Sequence, residues 1–580
     1  MLPVQKIDNT WYYLENFEFV LHWVGKRYSD LLDTSEHHFI QQFLGMPRQS
    51  RAVLVRMIMR NGVLFRRSKL RYTEIPDCRG ALLPLIATGW VNDRPLLSTE
   101  QLFGLLRKPE LVAIFDHLLS QAGAHTWSKP KQLSLLQAHG LAPRCFDAWV
   151  SLGEFDHPAA SPAQRAVSGL LETDEVYEHS VGPLCDRFRL MFFGNLRQDW
   201  SEFVLTELGR YTYEKIDFPL SSRAFQARHE IDGYLHLHAC KERVRLSLEK
   251  SDSDALTLEI DEVLGAIPGL PLPNSWLESR RQKLLFQIAR HQERQKQWSK
   301  ALETYTQCTG PEACVRRVRT LERAGERDAA AKLAQAALLN THSEAQGQQL
   351  LRMLPRLLRD GQARPPSITF ECRSTTLLLA QGLAPMRVEL QVAADLAHSR
   401  APVFYVENAL VTSLFGLLCW DAIFAAVPGA FFHPFQQGPS DLLQPEFHQR
   451  REALFRACFS SLESGEYRRK IQETFGCKAG LQSTLVAWDV LTQPLLELAL
   501  SCIPAAHLRK LFERLLDDLN SNRTGLPDLI QFWPHENRYE MIEVKGPGDR
   551  LQDNQLRWLM YCHQHDIPAS VCYVRYEQSA

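Results

Sequence analysis

The amino-acid sequence predicts a multidomain protein that is mostly α-helical and carries an α/β domain towards its C-terminal end. The chain has 580 residues, more than one hydrophobic core usually organises, so three or four domains are expected. Apolar residues recur at helical spacing through most of the chain, which predicts amphipathic helices. The clearest runs of β-branched and aromatic residues lie at 528–533, 539–545 and 570–576, and these runs predict strands.

Residues 1–90 predict a small N-terminal module, either winged or purely helical. Within it, 46–62 has the periodicity of a helix, and 63–72 is a basic segment with the character of an extended chain.

Residues 91–150 predict a second helical module. One capped helix begins at Thr99, and another begins just after Trp127. The first turn of the second helix contains Lys129 and Lys131. Two short helices with such a basic entry at the second resemble a SAP-type DNA-binding module, and this resemblance makes Lys129 and Lys131 candidate contacts to DNA phosphates. Two amphipathic helices are also common in unrelated scaffolds, so that alternative stays open.

Residues 151–362 predict an array of helical hairpins. A long charged helix is expected over 275–300, and shorter helices of similar length are expected over 312–324 and 327–339. Small residues and short turns between the helices are typical of a TPR-like array, although no strict 34-residue period is visible. Such arrays bind partner proteins as often as they hold DNA, so protein partners are expected here as well. The Pro- and Gly-containing segment 360–366 predicts the linker into a domain over 363–580.

The most informative residues of that last domain are Asp528, Glu543 and Lys545. A short turn between strands 528–533 and 539–545 predicts an antiparallel hairpin. Side chains alternate along a strand, so Glu543 and Lys545 share a face, and strand pairing brings Asp528 beside them. Carboxylates hold Mg²⁺ or Mn²⁺ through hard oxygen ligands, and a lysine can orient water or balance phosphate charge. The pattern therefore predicts a metal-dependent site for phosphodiester cleavage; the alternative is a surface salt bridge on an ordinary hairpin.

Composition limits the remaining function classes. No apolar run reaches transmembrane length and no secretory pattern begins the chain, so no membrane partner is expected. Thirteen cysteines without a CxxC pair fit neither a disulfide framework nor a zinc site, which indicates a cytoplasmic or nuclear compartment. The formal net charge of −1 counts mildly against nucleic-acid binding, but local basic patches can still bind phosphates. The candidate patches are Arg66–Arg71, Arg280–Lys283, Arg316–Arg319 and Arg468–Lys470.

Several ordered motifs resemble one nuclease family. Gly525-Leu526-Pro527-Asp528-Leu529 and Glu543-Val544-Lys545-Gly546-Pro547-Gly548-Asp549-Arg550-Leu551, with 555–559, look like the VRR-NUC branch of the PD-(D/E)xK nucleases. Within that branch, the blocks 413–424 and 483–489 are most similar to the Fanconi anaemia-associated nuclease family. The resemblance is sharp over about 400–580 and looser at 192–195 and 203–209.

The resemblance implies a fuller set of site residues. It implies that Glu407, Asp528, Glu543 and the backbone carbonyl of Val544 ligate the metal, with Lys545 beside the attacking water. Glu407 would correspond to the carboxylate that such nucleases usually take from a helix before the strands; by itself it reads as a solvated glutamate at a helix N-terminus. Gln555, at helical spacing in 551–565, is a candidate contact to phosphate or ordered water, or else a buried amide that bonds to the backbone. The same spacing places Trp558 in the core.

The resemblance also implies an activity. It predicts a metal-dependent, structure-selective DNA nuclease, a 5′-flap endonuclease with 5′-to-3′ exonuclease activity, that acts on branched or flapped DNA in interstrand crosslink repair. It further implies a DNA-binding module over 1–90, a SAP-like module over 91–150, and a helical insertion between Glu407 and Asp528 that favours a monomer. The protein would be located in the cytoplasm, associated with the nucleoid, in a bacterium, or in the nucleus in a eukaryote. The alternatives are a dimeric nuclease resembling Holliday-junction resolvases and a non-catalytic DNA-repair scaffold.

Overall fold

The chain divides into two compact units, Met1–Arg210 and Tyr211–Ala580. The computed structural model describes residues 9–153, 167, 169–198, 200, 211–249, 253–341, 343–358, 370, 372–379 and 387–577. The motif at 203–209 and the predicted linker at 360–366, with the domain boundary at 362/363, lie outside the described residues.

The first unit is mainly helical, with one small sheet. Strands β1 (Leu64–Arg66), β2 (Val91–Asn92) and β3 (Val176–His179) pair antiparallel in the order β1-β3-β2. Its described helices are Tyr12–Arg27, Thr34–Gly45, Arg48–Ile58, Cys78–Ala87, Thr99–Leu105, Lys108–Ile114, Asp116–Gln121, Lys129–Ala138, Phe146–Val150 and Gly182–Phe193.

Local sequence signals explain where several of these helices begin and end. The capped helix predicted at Thr99 is confirmed: Ser98 and Gln101 form a reciprocal capping box at its N-terminus. The helix predicted over 46–62 is shorter, because it begins after Pro47 and ends at Ile58. The basic segment over 63–72 was predicted to be extended, but only β1 is a strand, and a 3₁₀ turn follows it.

The Arg66 guanidinium is buried in an ion-pair network of the first unit. Its Nε donates to Asp174 Oδ2 at 2.8 Å, and its Nη1 lies 2.9 Å from both carboxylate oxygens of Glu110. Asp174 also accepts from the Ser68 backbone N–H at 2.9 Å, and these bonds help hold its pKa below the usual value despite burial. The network ties β1 to the helix Lys108–Ile114. Arg66 is therefore buried and does not belong to an exposed basic patch, contrary to the candidate patch Arg66–Arg71 that the sequence indicated.

We expect Arg66→Met to destabilise the first unit by about 3–5 kcal/mol, because it leaves two carboxylates without their buried partner. The adjacent Arg67 is the matched control, since it is partly exposed and lies 3.8 Å from Glu175. Arg67→Met should cost less than about 1 kcal/mol. Native-state hydrogen exchange of the β1 amides measures both changes in stability. Equal effects of the two substitutions would show that the buried network stabilises the unit no more than the partly exposed ion pair of Arg67 does.

The second unit begins with the predicted array of helices, each of which packs against a neighbour in sequence. The single helix expected over 275–300 is in fact two helices. Lys296 adopts a left-handed conformation with φ of 59°, which ends the first helix and starts a tight turn into the next. The described helices of the array are Arg228–Leu248, Ser253–Ala266, Ser275–Arg294, Trp298–Thr306, Pro311–Arg323, Arg327–Asn340 and Glu344–Leu357.

The last helix of the array is joined to the C-terminal domain by two paired ion contacts. Glu344 accepts from both guanidinium nitrogens of Arg514, at 3.0 and 2.6 Å. Two turns further along the same helix, Arg352 reaches both carboxylate oxygens of Asp553 at 2.5 Å. The spacing of eight residues places both contacts on one helix face, which packs the array against two helices of the C-terminal domain, Ala505–Asp517 and Asp553–Gln564.

A five-stranded mixed sheet organises the C-terminal domain. Its strands are β4 (Ser374–Leu379), β5 (Val403–Tyr405), β6 (Leu529–Trp533), β7 (Arg538–Lys545) and β8 (Ala569–Tyr576). The order is β4-β8-β7-β6-β5; β6 pairs antiparallel with β5 and with β7, whereas β8 pairs parallel with β7 and with β4. The predicted hairpin of β6 and β7 is confirmed, with Asn537 in the left-handed conformation at its turn. The predicted strand over 570–576 is β8.

Helices fill the long insertion between β5 and β6, as expected. Leu414, Phe512 and Ile530 belong to one buried apolar core that the insertion helices build against the sheet. The first helical stretch of the insertion is divided at Cys419, where the backbone leaves helical geometry. The described helices of this domain are Val388–Leu396, Leu410–Leu418, Trp420–Ile423, Glu452–Ser464, Tyr467–Lys478, Gln493–Cys502, Ala505–Asp517, Leu519–Asn522 and Asp553–Gln564. None of the helices in the described ranges is both long and apolar enough to cross a membrane.

Candidate active site

The hairpin of β6 and β7 brings Asp528, Glu543 and Lys545 together. Asp528 directly precedes β6, and its Oδ2 accepts a hydrogen bond from the Val544 backbone N–H at 2.8 Å. Glu543 and Lys545 share a face of β7, where Lys545 Nζ lies 2.6 Å from Glu543 Oε1. The three side chains are 6%, 1% and 7% exposed. The predicted geometry of the hairpin is confirmed, and the alternative of a surface salt bridge is excluded by the burial.

Glu407 approaches this cluster from the neighbouring edge of the sheet. The expected helical position is wrong: Glu407 lies in the turn between β5 and the helix Leu410–Leu418. That turn is fixed to the start of β6, because the Val406 N–H donates to the Asp528 carbonyl at 2.8 Å. Asn408, with φ of 51°, adds a bond from the Leu526 N–H to its side-chain oxygen at 3.1 Å. Glu407 itself is exposed, at the rim of the site.

Burial and neighbouring negative charges make the two central carboxylates, Asp528 and Glu543, hard to ionise. Burial raises the pKa of Asp528 to about 6, and the nearby charge of Glu407 adds to the effect. Burial and the charge of Asp528 raise the pKa of Glu543 to about 7, although Lys545 opposes that shift. One lysine therefore does not balance the negative charge that this site collects at neutral pH.

Glu389 is a further carboxylate of this environment that the sequence reasoning missed. It lies on the helix Val388–Leu396, and its charge contributes to the raised pKa of Asp528. The helical periodicity just before β5 was the signal that could have found it. The sequence alone did not show that this helix faces the hairpin.

The residues present fit a hard divalent cation. The second carboxylate oxygen of Glu543, Oε2, is buried and has no hydrogen-bond partner. A buried oxygen without a partner is unfavourable, and a bound cation would supply that partner. Across the described residues no group of three or more His, Cys, Asp or Glu side chains converges on one metal position. Asp528 and Glu543 are the buried carboxylates of the site, and Glu407 lies at its rim, where its Oε2 accepts a hydrogen bond from the Tyr405 hydroxyl.

The remaining predicted site residues have structural contacts of their own. Gln555 is half-buried, and its Oε1 accepts from the Gln552 N–H at 2.8 Å, so it caps the helix Asp553–Gln564. Lys129 donates to the Leu106 carbonyl at 2.7 Å, whereas Lys131 is exposed. Trp558 is 1% exposed and belongs to the core, as predicted. The contacts of Gln555, Lys129 and Lys131 with DNA or water stay predictions.

We expect Asp528→Asn to stabilise the protein in EDTA, at a pH above both raised carboxyl pKa values. A folded-state pKa above the unfolded value means that the ionised carboxylate opposes folding there, by about 1–3 kcal/mol for this shift. The asparagine oxygen keeps the bond from Val544. Mn²⁺ should raise the unfolding temperature of the unmodified chain and not that of the variant. Thermal unfolding with and without Mn²⁺ measures both effects; a variant less stable in EDTA would contradict the electrostatic account.

Family models match three parts of the chain. A model described as "FAN1, HTH domain" matches residues 11–92, and the Fanconi anemia-associated nuclease SAP domain matches residues 96–149. The VRR-NUC domain matches residues 462–576, which include Asp528, Glu543 and Lys545.

Similar proteins extend this agreement to the full chain. A Fanconi-associated nuclease 1 homolog of Pseudomonas aeruginosa is 48% identical over 99% of this chain and 98% of its own length. A homolog of Arabidopsis thaliana is 24% identical over 97% of this chain and 67% of its own length. A crystal structure of paFAN1 bound to 2nt 5′flap DNA with gap has a TM-score of 0.83 and 47% identity, and covers 99% of this chain and 100% of that one. These matches show that the chain belongs to the Fanconi-associated nuclease family.

Proposed function

We propose that this nuclease is a metal-dependent, structure-selective enzyme that cuts 5′-flapped and branched DNA. The observation that carries the proposal is the buried pair of Asp528 and Glu543 with Lys545 beside it, including one carboxylate oxygen without a partner. The relative of known structure was solved with 5′-flap DNA, which supports flapped DNA as the substrate class. We propose 5′-to-3′ exonuclease activity and a role in interstrand crosslink repair on the strength of the family alone.

Asp528, Glu543, the Val544 carbonyl and Glu407 are the groups proposed to hold Mg²⁺ or Mn²⁺. When bound, the cation would neutralise phosphate charge and supply an activated water for hydrolysis. Oxygen-only ligands suit these hard cations. The raised pKa values of Asp528 and Glu543 support the proposal, because a cation would relieve the repulsion that burial creates.

Lys545 supplies the fixed positive charge of the proposed reaction. Its ammonium is almost buried and is held by Glu543 Oε1, so its position is set before the substrate arrives. A charge fixed in this way can orient the attacking water or stabilise the charge that develops on the phosphate oxygens, without reorganisation during the reaction. Asp528 is held in the same manner by the Val544 N–H.

Substrate choice would depend on the shape of the DNA. Contacts to phosphates position a duplex but carry no sequence information. Lys131 is a candidate for such a contact because its side chain is exposed at the start of a helix, whereas the Lys129 ammonium already has an internal acceptor. Protein partners of the helical array, a cytoplasmic or nuclear location according to the organism, and the absence of a membrane partner belong to the same proposal.

A monomer is favoured over a dimeric junction resolvase. The insertion helices Gln493–Cys502 and Ala505–Asp517 share one apolar core with β6, so they cover a face of the sheet that a small dimeric nuclease would leave open. A non-catalytic scaffold is disfavoured because Asp528, Glu543 and Lys545 keep their side chains and their mutual contacts.

We expect Glu543→Gln to reduce cleavage of a 5′-flap substrate by more than about 100-fold in Mg²⁺, because it removes a charged metal ligand. Glu540→Gln is the matched control: Glu540 lies on the same strand but bonds to Ser570 Oγ at 2.7 Å, away from the cluster. Its activity should stay near that of the unmodified chain. The assay compares 5′-flap, 3′-flap, nicked and four-way DNA. Full activity of Glu543→Gln would overturn the site, and preference for four-way DNA would favour the resolvase.

DNA affinity should fall steeply as salt increases. Lys131→Ala should reduce the slope of log affinity against log salt by about one, because it removes a contact to phosphate. Lys129→Ala should change that slope less, since its ammonium bonds to the Leu106 carbonyl. Fluorescence anisotropy with flapped DNA over a salt series measures both slopes. A flat salt profile for the unmodified chain would argue against DNA binding.

A further inference from the structure

We infer that Tyr405 is a positioning residue that orients the Glu407 carboxylate for the metal site. The inference rests on the proposed function, and it adds a residue that neither the motifs nor the hairpin geometry identified. The Tyr405 hydroxyl donates a hydrogen bond to Glu407 Oε2, one of the two oxygens of the rim carboxylate.

The position of Tyr405 in the sheet lets it restrain the side chain of Glu407. It is the last residue of β5, where it pairs with Leu529, the residue that follows Asp528. Its ring packs with the buried apolar cluster of the sheet that includes Leu529 and Val544. The Tyr405 ring is therefore held in place by the strand pair β5–β6, next to Asp528. Its hydroxyl can in turn hold the Glu407 side chain in place through their hydrogen bond.

Glu407 depends on this bond more than a buried carboxylate would. Its side chain is exposed, and its other described hydrogen bond, from Asn408 Nδ2 to Oε1, is long at 3.4 Å. The backbone beneath it is fixed by the bond from Val406 to Asp528, so the remaining freedom lies in the side-chain torsions. A free glutamate side chain loses conformational entropy when it is fixed, and the bond to Tyr405 limits that freedom before a cation binds.

The Tyr405 phenol is a hydrogen-bond donor at neutral pH, because the ordinary pKa of a tyrosine is about 10. With Oε2 occupied by the phenol, Oε1 is the oxygen left for a cation. Ligating carboxylates commonly have such a hydrogen-bonded partner, and loss of the partner typically costs about 10–100-fold in metal affinity or activity.

Tyr405→Phe tests the inference, because it keeps the packed ring and removes only the hydroxyl. Mn²⁺ titration calorimetry on the DNA-free protein gives the dissociation constant without any turnover. We expect it to rise about 10-fold in Tyr405→Phe. Tyr561→Phe is the control, because its hydroxyl bonds to the Lys510 carbonyl at 2.9 Å and has no part in the site; its Mn²⁺ affinity should not change.

A double-mutant cycle separates positioning of Glu407 from a general effect on the fold. If Tyr405 acts through Glu407, then Tyr405→Phe should weaken Mn²⁺ binding no further in a Glu407→Gln background. The 5′-flap cleavage rate of Tyr405→Phe should also recover towards that of the unmodified chain at saturating Mn²⁺. If Tyr405→Phe weakens Mn²⁺ binding by the same factor in the Glu407→Gln background as in the unmodified chain, then Tyr405 does not act through Glu407 and the inference is overturned.

The same titration distinguishes this inference from the proposed function. Mn²⁺ binding by the unmodified chain, with unchanged or tighter affinity in Tyr405→Phe, overturns the role of Tyr405 and leaves the proposed metal site intact. No Mn²⁺ binding by the unmodified chain overturns the metal site, and the role of Tyr405 with it.

Discussion

The architecture of the C-terminal domain depends on holding two like charges side by side in a buried place. Asp528 and Glu543 each lose most of their hydration; the charge of Asp528 raises the proton affinity of Glu543, and that of Glu407 raises the proton affinity of Asp528. The hairpin of β6 and β7 imposes this closeness, because its register is fixed by the apolar residues on the opposite face of the same strands. Lys545 offsets only part of the charge. The site is therefore built to favour a bound cation, and the strain is supported by the core beneath it.

The insertion helices and the helical array support the active site through different kinds of contact. The insertion helices bury one face of the sheet. The last helix of the array contacts the insertion helix Ala505–Asp517 at Arg514 and the helix that follows β7 at Asp553. These contacts combine charge with a bidentate geometry, which is more specific in direction than apolar packing. A movement of the array would thus be passed to the helix that Gln555 caps, close in sequence to Lys545.

The hairpin and its three charged residues could be predicted because they lie within eighteen positions of one another, and strand alternation fixes which side chains meet. Glu407 needed the family resemblance, since no local pattern relates it to Asp528. The burial of Arg66 and the position of Glu389 beside Asp528 depend on contacts between segments distant in sequence, so the sequence could not predict them, although periodicity before β5 indicates the helix that carries Glu389. The bond of Tyr405 to Glu407 is local, but no sequence pattern indicates that the two side chains meet. The division of the helix over 275–300 was missed because Lys296 gives no sign of a left-handed backbone.

The long insertion has a consequence for when the enzyme becomes competent. Glu407 and Asp528 are 121 positions apart (528 minus 407), so the pairing of β5 with β6 closes a long loop of chain. Contacts of such long sequence separation form late, because the chain loses loop entropy before it gains their energy. Asp528, Glu543 and Lys545 meet through the local hairpin of β6 and β7, whereas Glu407 joins them only when that long loop closes. The charged residues of the site are therefore expected to assemble in two stages during folding, the hairpin residues first and Glu407 last.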